Sequence, residues 1–245
     1  MNLLEVQGLR KTYPAFRLED VSFSVPEGAV MGLIGRNGAG KSTTLKSILG
    51  LVHPDAGRVE MFGREFSENE RYIKENIGVV LGGIDFYPKK KVRTIRDVPR
   101  RFYSNWQEEK YRHYLDLFAI DENKRVDQLS SGMRVKYLLA LALSHNARLL
   151  ILDEPTSGLD PVSRDELAEL LRRIAADGTR SVLFSTHITS DLEKCASHIT
   201  FIQEGRLQRS DTLAGFMAHY ADLGSTLEEI IVAAERRPYD ADAII

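Results

Sequence analysis

Gly35-Arg36-Asn37-Gly38-Ala39-Gly40-Lys41-Ser42 decides how the rest of the chain is read. It fits the pattern G-x-x-x-x-G-K-[ST]. The apolar run Ala29–Ile34 before it reads as a strand. The run Ser42-Thr43-Thr44-Leu45-Lys46-Ser47-Ile48-Leu49 after it reads as a helix. Both flanks matter. Glycines let the backbone curl so that successive N–H groups point inward at phosphate oxygens. A helix amino terminus adds partial positive charge at the same place. Lys41 places a full charge beside a nucleotide's β- and γ-phosphates, and the Ser42 hydroxyl is offered to Mg2+. Gly35, Arg36, Asn37, Gly38, Ala39, Gly40, Lys41, Ser42 and Thr43 are therefore the candidate triphosphate cradle.

A second stretch answers the first. Arg148-Leu149-Leu150-Ile151-Leu152-Asp153-Glu154 is an apolar strand that ends in two carboxylates. A buried parallel strand delivers its carboxyl end to the crevice where ligands bind. Asp153 is expected to hold Mg2+ through water, and Glu154 to polarise an attacking water as general base.

The residues after Glu154 narrow the reading further. The run LDEPTSGLD, residues 152–160, resembles the ABC ATPase family rather than other phosphate-loop enzymes. The resemblance implies that Ser157 to Asp160 form a loop crossing a dimer interface, with Asp160 near the nucleotide. Ser185-Thr186-His187, at the end of the apolar run SVLFS, is similar to that family's switch, which makes His187 a γ-phosphate contact. Leu129-Ser130-Ser131-Gly132-Met133-Arg134 is similar to the family signature, usually LSGGQ. It implies that Ser130, Ser131, Gly132 and Met133 reach the nucleotide held by a partner subunit. The chain departs from the pattern at Ser131 and Met133. Tyr13 matches the aromatic that stacks on adenine, a flat apolar face suited to a base. The family also places a glutamine or acid after the strand IGVVL. Here stand Gly82 and Gly83, with Asp85 the nearest acid, so the replacement for that residue stays open.

Working outward, strand-like runs recur at Leu3–Val6, Val21–Val25, Arg58–Met61, Ile77–Leu81, Ser181–Ser185 and Ile199–Gln203. Several are almost wholly apolar, as expected of strands covered on both faces. Those near Val21 alternate polar and apolar residues and suit an antiparallel edge layer. From Ser163 the spacing predicts a helix, with Ser163 and Glu166 as a capping box, Leu167, Leu170, Leu171 and Ile174 on one face, and Gly178 as a left-handed stop. A second helix is read over Val135–Ser144. Between Gly83 and His145 the strand pattern disappears in favour of helical spacing. The expected fold is α/β: a phosphate-loop ATPase core with a mostly parallel sheet, an antiparallel β edge layer and an inserted α-helical subdomain. Residues 1–82 and 146–210 form the core, 83–145 the helical subdomain, and 211–245 a helical tail.

The 245 residues carry 33 Lys and Arg against 35 Asp and Glu, a net charge of −2. That balance gives no bulk attraction to nucleic acid, and none is expected as partner. One cysteine, Cys195, excludes an internal disulfide framework and fits a reducing cytosol. No run reaches the roughly 20 apolar residues of a membrane span, and the amino terminus lacks the apolar core of a secretory signal. The resemblance therefore implies a peripheral ATP-hydrolysing subunit at the cytoplasmic face of the cell membrane. It would use ATP and Mg2+, pair with itself or a related ATPase subunit, and dock on separate integral-membrane subunits. Local patterns look most like bacterial exporter-type subunits. Lys89, Lys90, Lys91, Arg93 and Arg96, beside Phe86 and Tyr87, form a basic cluster suited to that docking or to solvent. Two other readings stay open: an ABC-type ATPase that moves no solute, and a regulatory subunit with little turnover. Cargo is not legible, since membrane subunits choose it.

Overall fold

Every residue of the runs Val30–Ile34, Leu149–Asp153 and Ser181–Thr186 is buried. The side chains alternate between two cores, as a period of two requires. Val30, Ile34, Leu150, Leu152, Val182 and Phe184 face one core, while Met31, Leu33, Leu149, Ile151 and Leu183 face the other. These strands therefore lie at the centre of a sheet covered on both faces.

The computed structural model describes residues 1–81 and 87–236. Its elements are β1 (Asn2–Tyr13), β2 (Phe16–Pro26), β3 (Val30–Ile34), α1 (Lys41–Ile48), β4 (Ala56–Met61), β5 (Arg64–Glu65), α2 (Phe66–Asn76), β6 (Ile77–Val80), α3 (Val92–Phe102), α4 (Glu108–Leu117), α5 (Ser131–Ser144), β7 (Leu149–Asp153), α6 (Pro161–Ala175), β8 (Ser181–Thr186), α7 (Thr189–Cys195), β9 (His198–Gln203), β10 (Arg206–Thr212), α8 (Leu213–His219) and α9 (Leu227–Glu235). The strand order is β5-β4-β1-β2-β10-β9-β3-β8-β7-β6. Strands β9, β3, β8, β7 and β6 are mutually parallel. Strands β1, β2, β4 and β5 pair antiparallel, the edge layer expected from their alternation.

Several boundaries differ from the sequence reading. Helix α6 begins at Pro161, not Ser163. Its cap is Asp160, whose carboxylate accepts from the Val162 and Ser163 amides. An aspartate cap followed by proline at the first helical position satisfies the orphan amides earlier than a Ser163 box would. Gly178 does stop the helix, at φ +74°. Helix α5 begins at Ser131, so the signature stretch forms its first turn. Strand β10 is mostly polar and gives no strand signal in sequence. It pairs antiparallel with β9 through Glu204 and Gly205, both at positive φ, the two-residue turn that matches strand twist. A Cβ on Gly205 would lie 1.8 Å from the Arg17 carbonyl oxygen, so only glycine fits. The tail becomes helical at Leu213, two residues after the expected Asp211. Helix α2 buries only Ile73, and so carries no apolar stripe by which to recognise it. Among the described residues no helix is long and apolar enough to cross a membrane.

Between α3 and α5 the helical segment packs around Arg96. Its guanidinium lies 3.0 Å from Glu108 and 5.6 Å from the Tyr111 ring centroid. Arg96 is thus a cross-link inside the segment rather than part of an exposed basic patch. Phe86 lies outside the described residues.

Candidate active site

The chain leaves β3 at Gly35, curls through residues 36–40, and enters α1 at Lys41. Sterics dictate the glycines. A Cβ on Gly35 would sit 2.1 Å from the Ile202 carbonyl oxygen of the neighbouring strand. Gly40 caps α1 at φ +113°, a conformation that side chains disfavour. Arg36, Asn37 and Gly38 are exposed, while Ala39 and Gly40 are buried.

Lys41 is 5% exposed and its ammonium is tethered. It donates to the Gly35 carbonyl at 2.7 Å and to the Arg36 carbonyl at 3.3 Å, and lies 3.3 Å from the Glu154 carboxylate. The neighbouring Ser42 hydroxyl donates to Asp153 Oδ1 at 3.2 Å. Ser185, at the end of β8, donates to the same oxygen at 2.6 Å. These bonds draw the carboxyl ends of β7 and β8 onto the start of α1. Parallel register makes this possible, since Asp153 lies directly opposite Ser185.

Glu154 stands one residue past β7 with φ +50°. Its amide donates to the Ser185 hydroxyl at 2.9 Å, which holds this uncommon backbone in place. The carboxylate then spans two partners, Lys41 on one side and His187 Nδ1 at 2.9 Å on the other. A cavity of about 580 Å³ opens here, walled by the glycine loop with Glu154, Ser157 and His187, and by Ala15 and Phe16 from the β1–β2 turn. Lys41, Ser42, Asp153, Glu154 and His187, from three separate stretches of sequence, are thus one constellation.

Tyr13 lies at the end of β1, 39% exposed, and is not on that wall. The Lys11 ammonium sits 5.8 Å from its ring centroid, held there by Asp55 at 2.9 Å. Phe16 is on the wall, a place that sequence reasoning does not assign it, since an aromatic within an alternating strand carries no separate signal.

Ser130, Ser131, Gly132 and Met133 are also off the wall of this cavity. Ser130 caps α5 by accepting from the Met133 amide at 3.2 Å, and exposed Ser131 approaches the Gly158 carbonyl at 3.4 Å. The cluster packs against α6 through Gly132, where a Cβ would lie 3.1 Å from the Ser163 hydroxyl. Asp160 spends its carboxylate on capping α6. Gly82 and Asp85, the open question after β6, lie outside the described residues.

Comparisons with known proteins agree on one family. The ABC transporter family profile matches residues 18–157. The bacitracin transport ATP-binding protein BcrA of Bacillus licheniformis is 32% identical over 208 residues, covering 84% of this chain and 68% of that protein. The Nod factor export ATP-binding protein I of Burkholderia orbicola is 39% identical over 191 residues, covering 76% of this chain and 62% of that protein. This chain thus spans about two thirds of the length of those relatives. A solved ATP-binding subunit of an ABC transporter superposes with a TM-score of 0.84 at 28% identity, covering 96% of this chain and 100% of that one. The chain belongs to the ABC transporter family, as one of its ATP-binding, ATP-hydrolysing subunits.

Proposed function

We propose that the glycine loop with Lys41, Ser42, Asp153, Glu154 and His187 is the ATP-hydrolysing centre, and that it works between two subunits to drive transport through separate membrane proteins. The observation that carries this reading is the placement of Glu154, within 3.3 Å of Lys41 and 2.9 Å of His187 at the mouth of one cavity. Lys41 and the loop amides bind the β- and γ-phosphates by charge and aimed N–H groups. Glu154 accepts a proton from the attacking water, and His187 holds the Glu154 carboxylate in position. Phe16 offers a ring face on the cavity wall for the base, and Tyr13, off that wall, is the second candidate for stacking.

Mg2+ suits the oxygens present. The Ser42 hydroxyl and the 8%-exposed Asp153 carboxylate are adjacent, and no group of three or more His, Cys, Asp or Glu side chains competes as a metal site among the described residues. A hard, hydrated cation held by one carboxylate, one hydroxyl and substrate phosphates fits that set. When bound it neutralises charge on the transferring phosphoryl group.

The signature residues lie off the wall of their own chain's cavity, which supports a composite site: Ser130 to Met133 of one subunit close over the nucleotide of another. Two-fold symmetry makes two such sites from one self-complementary surface. ATP between the subunits favours closure and hydrolysis favours opening, a cycle that membrane subunits can use. Residues 1–82 with 146–210 then act as the nucleotide-binding body, 83–145 as the signature-bearing body, and 211–245 as a tail. The relatives named for bacitracin transport and Nod factor export support an exporter; a place on the cytoplasmic face of the membrane is part of the same proposal.

Phosphate release from ATP by the purified protein, with Mg2+ and with excess chelator, tests this reading. Metal-dependent turnover is expected. ATP binding without turnover would favour the regulatory alternative.

A further inference from the structure

The last residue of α9 reaches the glycine loop. Glu235 Oε1 accepts a hydrogen bond from the Arg36 amide at 3.1 Å, and Oε2 lies 3.7 Å from the Arg36 guanidinium. The Glu235 side chain is only 6% exposed, whereas that of Arg36 is 64% exposed. Burying a carboxylate is costly unless it is bonded. Burial pushes its pKa upward, while Arg36 and Lys41 oppose that shift. A negative charge at a helix carboxyl end is also unfavourable with respect to the helix dipole. Two costs thus fall on one residue, and its bonds run to the segment through which the chain enters the loop.

Helix α9 is fixed at both ends. At its start, the Leu227 amide donates to the Glu193 carboxylate on α7 at 2.8 Å, and Thr226 with Glu229 forms a capping box. Leu227 and Ile230 are fully buried. At its end, the Ala234 carbonyl accepts from Gln203 at 3.1 Å, beside the Glu235 contact. Helix α7 is the element that comes after His187, and Arg164 ties it to α6 through Asp191 at 2.7 Å. Helix α9 thus straps the helix behind His187 to the first amide after Gly35. It also borders a cavity of about 270 Å³ lined in part by Gln203 and Glu235, which shares Arg36, Asn37 and Gly38 with the cavity at the glycine loop.

We propose that Glu235 is a positioning residue for nucleotide binding: it holds the Arg36 amide and so fixes the entry of the glycine loop. Elsewhere in the exposed loop residues 36–38, the Arg36 carbonyl accepts from the Lys41 ammonium and the Ala39 amide. Ala39 is held by its amide to the Arg36 carbonyl and by the Gly205 amide, while the Arg36 amide has Glu235. Without that bond the loop samples geometries in which its amides no longer converge, and ordering them draws on binding energy. This inference rests on the reading of residues 35–42 as the phosphate cradle.

The test compares full-length wild type, Glu235→Ala, Glu235→Gln and Lys41→Ala. ATP affinity, KM and kcat are measured, together with the melting temperature without nucleotide. Glu235→Ala should raise Kd and KM for ATP about 10-fold with kcat changed less than about twofold, the size expected for one lost hydrogen bond to a charged group. Glu235→Gln keeps the acceptor and should restore most of the affinity. A purely structural role would lower the melting temperature of both variants and leave ATP affinity of the folded protein unmoved. That result, or an unrescued Gln variant, overturns the proposal. The Lys41→Ala arm separates the two claims: weakened binding there with normal binding in Glu235→Ala leaves the cradle standing and removes Glu235 from it.

Discussion

The Glu154 carboxylate stands 3.3 Å from the Lys41 ammonium, Oε1 to Nζ. Both side chains are largely buried, at 20% and 5% exposure. The pair links the first residue of α1 to the end of β7, elements more than a hundred residues apart in sequence. A terminal phosphate would compete with Glu154 for this ammonium. On the proposed reading, binding would then free Glu154 Oε1 for the attacking water while Oε2 keeps its contact with His187.

Lys41→Ala removes a full, buried positive charge at the mouth of α1. A hydrogen bond to a charged group contributes about 1.5–3 kcal/mol, so the ATP dissociation constant should rise about 10- to 100-fold. Titration with a fluorescent ATP analogue measures it. Unchanged affinity would remove Lys41 from the cradle.

Ser131 is exposed beside the Gly158 carbonyl and off its own chain's cavity wall. If this residue meets a partner's nucleotide, a carboxylate there repels the phosphates. Ser131→Glu should leave ATP binding by the isolated subunit within about threefold of wild type and abolish ATP-dependent dimerisation, since like-charge juxtaposition costs several kcal/mol. Sedimentation with and without ATP reads both states. A normal ATP-dependent dimer in the variant would contradict the composite site.

His145 supplies a pH dependence outside the site. Its ring stacks on Tyr103 with centroids 3.7 Å apart and is 1% exposed. Burial lowers its pKa from 6.5 to about 4. Above pH 6.5 folded and unfolded chains are both neutral there. Between pH 6.5 and about 4 the unfolded chain takes up a proton that the folded chain refuses, so stability falls as pH falls. The full loss across that window is about 3 kcal/mol at most. His145→Phe keeps a stacking ring and should flatten the loss of stability over that window in urea titrations. An unaltered slope would place the acid sensitivity elsewhere.

Much of this fold is legible in the chain because its signals are local. The run Leu149–Leu152 is apolar throughout, and a strand covered on both faces needs that. The glycines at 35 and 40 announce the loop because backbone approach and positive φ demand them. Tertiary context sets the rest. Strand β10 is polar and exists through its turn with β9. Phe16 reaches the cavity because Pro14 and Ala15 turn the chain back, not because of any spacing near the loop. Ser185 binds both Asp153 and the Glu154 amide through register between two strands, which no single segment encodes. The contact between Glu235 and Arg36 joins residues 199 apart. At the start of α6, Ser163 offers a plausible cap in sequence, but Asp160 with Pro161 behind it offers a stronger one, and the helix begins there.

The most direct test of the central claim is single-turnover phosphate release by Glu154→Gln beside wild type, with ATP affinity measured on the same preparations. Loss of a general base is predicted to slow turnover about 100- to 10,000-fold, with ATP still bound at near wild-type affinity. Turnover at the wild-type rate in that variant would contradict the assignment of Glu154 as the base.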